Sequence, residues 1–284
     1  MNIKNILYII FIILLFICMK KLINHIEKKY IFQPSKIDNE EDIQKINMLL
    51  FYMHPNCPIV PHKIKTPDNE TLDALYHHDK LNDKLIIYAH GNGGNIYNRL
   101  DIVKKLGNFG SVLTFDYRGY GLSTGKPSEK GLHIDIFTIW VYANTMLGYK
   151  PENIVLYGSS LGCSMVLWLG QYLLKNKMDN PKGIIIEAGF YNIKTLACEI
   201  LHPSVKYFME AKFNNIQYIK RIKFHIPLLI IHSHEDEMIN INHAYKILED
   251  SQLSRDTLIV ISGTHNEPKI SKSKLDKVEN FIKN

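Results

Sequence analysis

Five residues near the middle of the chain, Gly158-Ser159-Ser160-Leu161-Gly162, restrict the fold more than any other stretch. The residues before them, Asn153-Ile154-Val155-Leu156-Tyr157, read as a buried strand. Those after them, Leu161 to about Lys175, are apolar and small and read as a helix. A Gly-x-Ser-x-Gly pentapeptide is common by itself. Placed between a buried strand and a helix it marks a sharp turn that lifts the central serine out of the backbone. The flanking glycines answer two needs of such a turn: a strained backbone and close passage of the helix past neighbouring strands.

The rest of the chain alternates in the same way. Strands are expected over His62 to Thr66 and Thr71 to His77, joined by a turn at Pro67-Asp68-Asn69. Further strands are expected over Lys84 to Ala89, Ser111 to Phe115, Lys182 to Glu187, Pro227 to His232 and Asp256 to Ile261. Helices are expected over Ile96 to Leu106, Glu129 to Leu147, Asn242 to about Ser251 and Lys272 to Ile282. Runs such as Leu228-Leu229-Ile230-Ile231 are apolar on both strand faces, as a parallel sheet covered by helices on both sides requires. The fold class is therefore α/β, with a doubly wound, mostly parallel sheet. Phe190 to His225 is longer than a simple crossover and carries Leu196, Ile200, Leu201, Val205 and Phe208; it reads as a small lid, the alternative being one crossover helix and a loop.

The chain has 284 residues, enough for one large domain with a proper core. Its net charge of +6 comes from scattered lysines, which gives nucleic-acid binding little support. Cys18, Cys57, Cys163 and Cys198 follow no zinc or redox spacing. The N-terminus is unlike the rest. Ile6 to Met19 is unbroken apolar sequence, and Ile3 to Ile23 reaches membrane-spanning length if the flanking lysines extend to the interface. No small residues suited to signal cleavage follow it, so a retained single-pass anchor is favoured over a cleaved signal peptide. More lysines follow the run than precede it, which favours a cytosolic catalytic domain; the sequon Asn69-Glu70-Thr71 would be usable only on the opposite side. The expected organisation is an anchor over residues 1–25, an approach segment over 26–61, with helical pattern near Glu41 to Tyr52 and breaks at Pro55, Pro58 and Pro61, and a catalytic domain over 62–284 whose lid spans 190–226.

Acyl transfer by serine needs a base within hydrogen-bond reach and an acid that orients the base. On this type of sheet the order along the chain is serine, then acid, then histidine. Ser160 is the candidate nucleophile, with Ser159 as its chemically identical neighbour. Asp236 follows the strand that ends at His232, with Glu235 and Glu237 read as solvated charges. His265 follows the last strand and is singled out from 13 histidines by that position. An oxyanion hole needs preorganised backbone donors. The amides of Leu161 and of Asn92, in the loop His90-Gly91-Asn92-Gly93-Gly94-Asn95, are the candidates. That loop lacks the Gly-Lys-Ser/Thr of a phosphate cradle. His232, His234 and Asp236, with His265, could form a metal-ligand set, but the elbow already accounts for the last two, and no metal is expected.

Together these stretches resemble the α/β-hydrolase superfamily, over about Thr66 to Lys283. The resemblance is carried by Thr66-Pro67-Asp68-Asn69-Glu70-Thr71-Leu72, the loop His90 to Asn95, Asp116-Tyr117-Arg118-Gly119-Tyr120-Gly121, the serine elbow, His232-Ser233-His234-Glu235-Asp236 and Gly263-Thr264-His265-Asn266-Glu267. It is greatest to the branch of small-lid serine hydrolases tethered to membranes by an N-terminal helix, which includes lipid hydrolases, esterases and protein depalmitoylases. The resemblance implies an ester or thioester substrate, a small molecule or an acyl chain, no cofactor and no obligate protein partner. It also implies that Asp116 and Arg118 serve a structural turn. Ser233 stands where the family usually has glycine. The competing reading is a catalytically silent binding or scaffold protein on the same fold.

Overall fold

The computed structural model describes residues 2–53 and 59–284; Pro55, Cys57 and Pro58 lie outside them. Helix α1 (Ile3–Ile31) is followed by β1 (Gln33–Pro34), α2 (Glu40–Met53), β2 (Ile59–Lys65) and β3 (Thr71–His77). Next come β4 (Leu85–Ala89), β5 (Gly93–Gly94), α3 (Leu100–Leu106), β6 (Ser111–Phe115), α4 (Glu129–Thr145), β7 (Ile154–Ser159), α5 (Leu161–Lys175) and β8 (Gly183–Glu187). The last part holds α6 (Ile193–Ile200), α7 (Asn215–Ile222), β9 (Leu228–Ser233), α8 (Asn242–Ser251), β10 (Leu258–Gly263), β11 (Pro268–Lys269) and α9 (Lys272–Lys283).

Nine strands form one sheet in the order β11-β10-β9-β8-β7-β4-β6-β3-β2. The six strands from β10 to β6 run parallel; β11 and β3 add to them antiparallel at the two ends, and β2 pairs antiparallel with β3 at the edge. Alternation along each strand divides two cores, because successive side chains leave a strand on opposite faces. Leu85, Ile87, Ile154, Leu156, Ile184 and Ile186 join the core under α4, α5, α7 and α8. Ile86, Tyr88, Val155, Tyr157 and Ile185 join the core under α3 and α9. Strands buried on both faces explain the continuous apolar runs in the sequence.

The chain steps from β4 to β6 on one side of β4, then crosses to β7 on the other. The loops leaving β4 and β7 therefore part at a topological switch, where a parallel sheet opens a crevice beyond its carboxyl ends. Two details differ from the sequence reading. Pro61 lies within β2 rather than breaking it, because β2 is the edge strand, where a residue without an N–H is tolerated. The approach segment, read as irregular, contributes β1, which pairs in parallel with β5.

Candidate active site

Ser160 joins β7 to α5 with φ 53° and ψ −114°. This conformation is unfavourable for any residue with a β-carbon. The surroundings hold it: Ser160 N–H donates to Glu187 O at 2.9 Å, and Cys163 N–H donates to Ser160 O at 3.1 Å. The glycines are required by contact. A β-carbon on Gly162 would stand 2.6 Å from the Ala89 carbonyl carbon, and one on Gly158 would stand 2.5 Å from Gly162 O. Ser159 remains in β7, in register with Glu187. The bend therefore falls on Ser160 and not on its neighbour.

Asp236 and His265 come together from the ends of β9 and β10. Asp236 Oδ2 lies 2.8 Å from His265 Nδ1. The other carboxylate oxygen accepts from the amides of Met238 at 3.0 Å and Ile239 at 2.8 Å. Burial raises the Asp236 carboxyl, but the bonds from His265, Ile239 and Met238 outweigh it and hold the group below its ordinary value. An ionised Asp236 accepts only, so Nδ1 of His265 carries the proton and Nε2 is left as the basic nitrogen. Among the described residues no hydrogen bond joins Ser160 Oγ to the imidazole; such contacts are often long before substrate binds.

Asn92 and Leu161 line the same cavity as Ser160. Leu161 is the first residue of α5, where a helix leaves its amides without internal partners. Gly91 passes directly over the serine, and a β-carbon there would meet Ser160 Cβ at 3.3 Å. The loop is held from behind by the turn after β6. Tyr117 Oη donates to His90 O at 2.7 Å, Tyr120 Oη to Asn92 O at 2.9 Å, and Asp116 Oδ1 accepts from Ile96 N at 2.9 Å. His90 Nδ1 bonds Gly91 O at 2.7 Å, which fixes the peptide plane carrying the Asn92 N–H. Arg118 serves the same turn, bridging Asp135 at 2.8 Å and Asp68 at 2.7 Å.

Glu235 and Glu237 are exposed, as solvated charges would be, and they do more than the sequence reading gave them. Their carboxylates also accept from the backbone amides of Gly263 and His265, so they brace the histidine loop. Ser233, the departure from glycine, donates its hydroxyl to Gly263 O and accepts from Glu235 N at 3.1 Å, tying the acid loop to the histidine loop. The two strand-end histidines bond to backbone carbonyls, His232 Nε2 to Ile239 O and His234 Nδ1 to Ile261 O, each at 2.7 Å, and His232 Nε2 also lies 3.6 Å from Asp236 Oδ2. Among the described residues no three His, Cys, Asp or Glu side chains converge as a metal site would. Cys163 is buried, its Sγ 3.2 Å from Gly158 O, and burial pushes its thiol up.

The cavity beside Ser160 measures about 270 Å³. Its floor is the site. Its walls are mostly aliphatic, with Ile193, Leu196 and Ala197 of α6, Met209 after it, Met238, and Ile31 at the end of α1. The opposite face of α6 is pinned elsewhere: Glu199 pairs with His243 of α8 at 2.8 Å.

A strand–serine–helix bend at the switch of a doubly wound sheet, with an Asp–His pair beyond the following strands, defines the α/β-hydrolase fold. The chain belongs to the α/β-hydrolase family. It is 36% identical to a protein of Acanthamoeba polyphaga mimivirus over 219 residues, 72% of this chain and 74% of the other. It is 29% identical to α/β-hydrolase domain-containing protein 17B of Homo sapiens over 201 residues, 69% of this chain; the match spans 65% of the human protein's length. Two solved structures share the fold at 18% identity. An α/β hydrolase from Vibrio vulnificus has a TM-score of 0.70 with 93% of each chain covered, and the Pyrococcus furiosus esterase Pf2001 has 0.63 with 88% of this chain and 98% of the other. No family model matches the sequence.

Proposed function

We propose that this chain is a membrane-anchored serine hydrolase that cleaves a carboxylic ester or thioester through an acyl-enzyme on Ser160. The observation that carries the proposal is the 2.8 Å Asp236–His265 pair at the same sheet end as a serine held in a strained bend. In this reading Ser160 Oγ attacks the carbonyl carbon. His265 Nε2 takes the hydroxyl proton and then gives it to the leaving alcohol or thiol. Asp236 keeps Nδ1 protonated and stabilises the imidazolium. The amides of Asn92 and Leu161 receive the developing oxyanion. Water, activated by the same nitrogen, releases the acid.

The aliphatic cavity supports an acyl chain as the acid portion, because an apolar lining rewards methylene groups and offers few polar partners. Two features support the anchor. Ile3–Leu22 is 20 residues long, about 30 Å of helix, and none of it is buried in the protein. Phe16 of that helix lies against Phe208, with ring centroids 5.3 Å apart, and Lys20 pairs with Glu210 at 3.5 Å. Ile200, Leu201 and Tyr207, in the same stretch of chain as Phe208, are exposed. We therefore assign residues 1–25 as the anchor, 26–61 as the approach, 62–284 as the catalytic domain and 190–226 as a lid on the membrane side of the site.

A fluorophosphonate probe tests the assignment. The full chain in detergent or vesicles should be labelled, Ser160→Ala should not, and both should melt alike. Equal labelling of the two would remove Ser160 as nucleophile. A folded protein that neither reacts nor turns over p-nitrophenyl esters would favour the silent scaffold.

A further inference from the structure

Residues 30–37, which run from the last turn of α1 into β1 and beyond, are laid across the loop that carries Asn92. Gln33 N–H donates to Asn92 O at 3.1 Å and Ser35 N–H to Gly94 O at 3.2 Å. Gln33 and Pro34 pair in parallel with Gly93 and Gly94. The Asn92 side-chain amide donates to Tyr30 O at 3.4 Å, and that of Asn95 donates to Ser35 O at 3.2 Å. Ile37 N–H and Ser35 O also exchange bonds with Gly121, at 3.1 and 3.0 Å, in the turn that supports the same loop from behind. Ile31 and Phe32 fix the segment by sinking into the core, each 8% exposed.

We infer that this juxtamembrane segment is a positioning element for the oxyanion hole, so that turnover at Ser160 depends on chain issuing directly from α1. The inference rests on the reading of Asn92 as an oxyanion donor. Gly91, Gly93 and Gly94 offer no side chains to hold the loop, and ordering glycine costs more backbone entropy than ordering any other residue. Stabilisation of a developing oxyanion requires donors already aimed before charge appears. The two peptide planes around Asn92 are held from different sides. His90 grips the plane before it through Gly91 O. Gln33 N–H and Tyr120 Oη grip the plane after it through Asn92 O. Tyr120 and His90 belong to the hydrolase domain itself. Gln33 is the contribution of the segment outside it, one residue beyond Phe32 and the end of α1.

The test separates the N–H from the side chain. Gln33→Pro deletes the donor to Asn92 O, and Phe32 already has an extended backbone that a following proline accepts (φ −117°, ψ 114°). Gln33→Ala keeps the donor. In the full chain reconstituted in vesicles, kcat for a short p-nitrophenyl ester should be about tenfold or more lower in Gln33→Pro than in Gln33→Ala, with KM within about twofold. A trifluoromethyl ketone, whose tetrahedral adduct presents an oxyanion, should lose affinity by a matching factor. Amide hydrogen exchange over residues 91–95 should quicken in Gln33→Pro alone. Equal kcat in the two variants, or unchanged exchange over 91–95, would overturn the inference. If Gln33→Pro does not fold, Ser35→Pro against Ser35→Ala removes the neighbouring rung and is read in the same way. A wild type without esterase activity would sink the hydrolase reading separately, while the exchange experiment still decides the clamp.

Discussion

At the scale of single residues, the acid loop and a surface turn give opposite lessons about carboxylates. Asp236 is buried and fully committed, to His265 through one oxygen and to two amides through the other. Replacing it with Asn keeps the shape but presents a donor to Nδ1, which favours the wrong imidazole tautomer. Asp236→Asn should lower kcat on a p-nitrophenyl ester by about 10³–10⁴-fold with little change in melting temperature. Asp68 is part-exposed, and the Arg118 guanidinium bonded to it holds its carboxyl well below the usual range, at about 2 against an ordinary value of 3.8. A folded value below the unfolded one means that this stabilisation is complete above about pH 4 and is lost as pH falls toward 2. The melting-temperature gap between wild type and Asp68→Asn should therefore be constant from pH 7 to 5 and close between pH 4 and 2, and solvent screening keeps it small. The placement of Ser160, Asp236 and His265 was legible in the sequence because each follows a strand in the order that the proposed chemistry requires. Glu235, Glu237 and Gln33 were not, since what matters is which backbone amide each meets across a loop, and that is set by tertiary approach.

At the scale of elements, legibility followed length and burial. Strands such as β4 and β6 are buried at every position and read directly from their apolar runs. The two-residue strands β1, β5 and β11 carry no periodicity of their own, so they emerge only when another segment pairs with them. The helix expected from Ile96 opens as a tighter turn over Ile96–Arg99, capped by Asn95 and followed by α3, because Asn95 and Asn98 exchange side-chain bonds with the backbone there. Helix α5 depends on a backbone approach to β4 that tolerates no side chain at Gly162. Gly162→Ala should destabilise the domain by about 1–3 kcal/mol, seen as a drop of several degrees in melting temperature, and should slow fluorophosphonate labelling because the bend at Ser160 shifts with the helix. Unchanged melting and labelling would show that α5 can move aside without disturbing Ser160.

At the scale of the whole molecule, the apolar cavity, the α6 region and the end of α1 form one wall system around the site. Ala197 sits on the cavity face of α6, so Ala197→Trp should shorten the preferred acyl chain by several carbons. A series of p-nitrophenyl esters from two to sixteen carbons would reveal this as a fall in kcat/KM confined to the longer members. An unaltered profile would place the acyl chain elsewhere. The joint between helix and domain has a further consequence for an embedded protein. Many tethered enzymes hang on a loose leash and sweep a hemisphere of solvent. Here Phe32 alone separates the last turn of α1 from a strand bonded into the domain, so the domain has little freedom to tilt or rise. With α1 embedded as proposed, such a molecule would search in two dimensions at one altitude, and a scissile bond held well above that plane would stay out of reach however abundant its bearer.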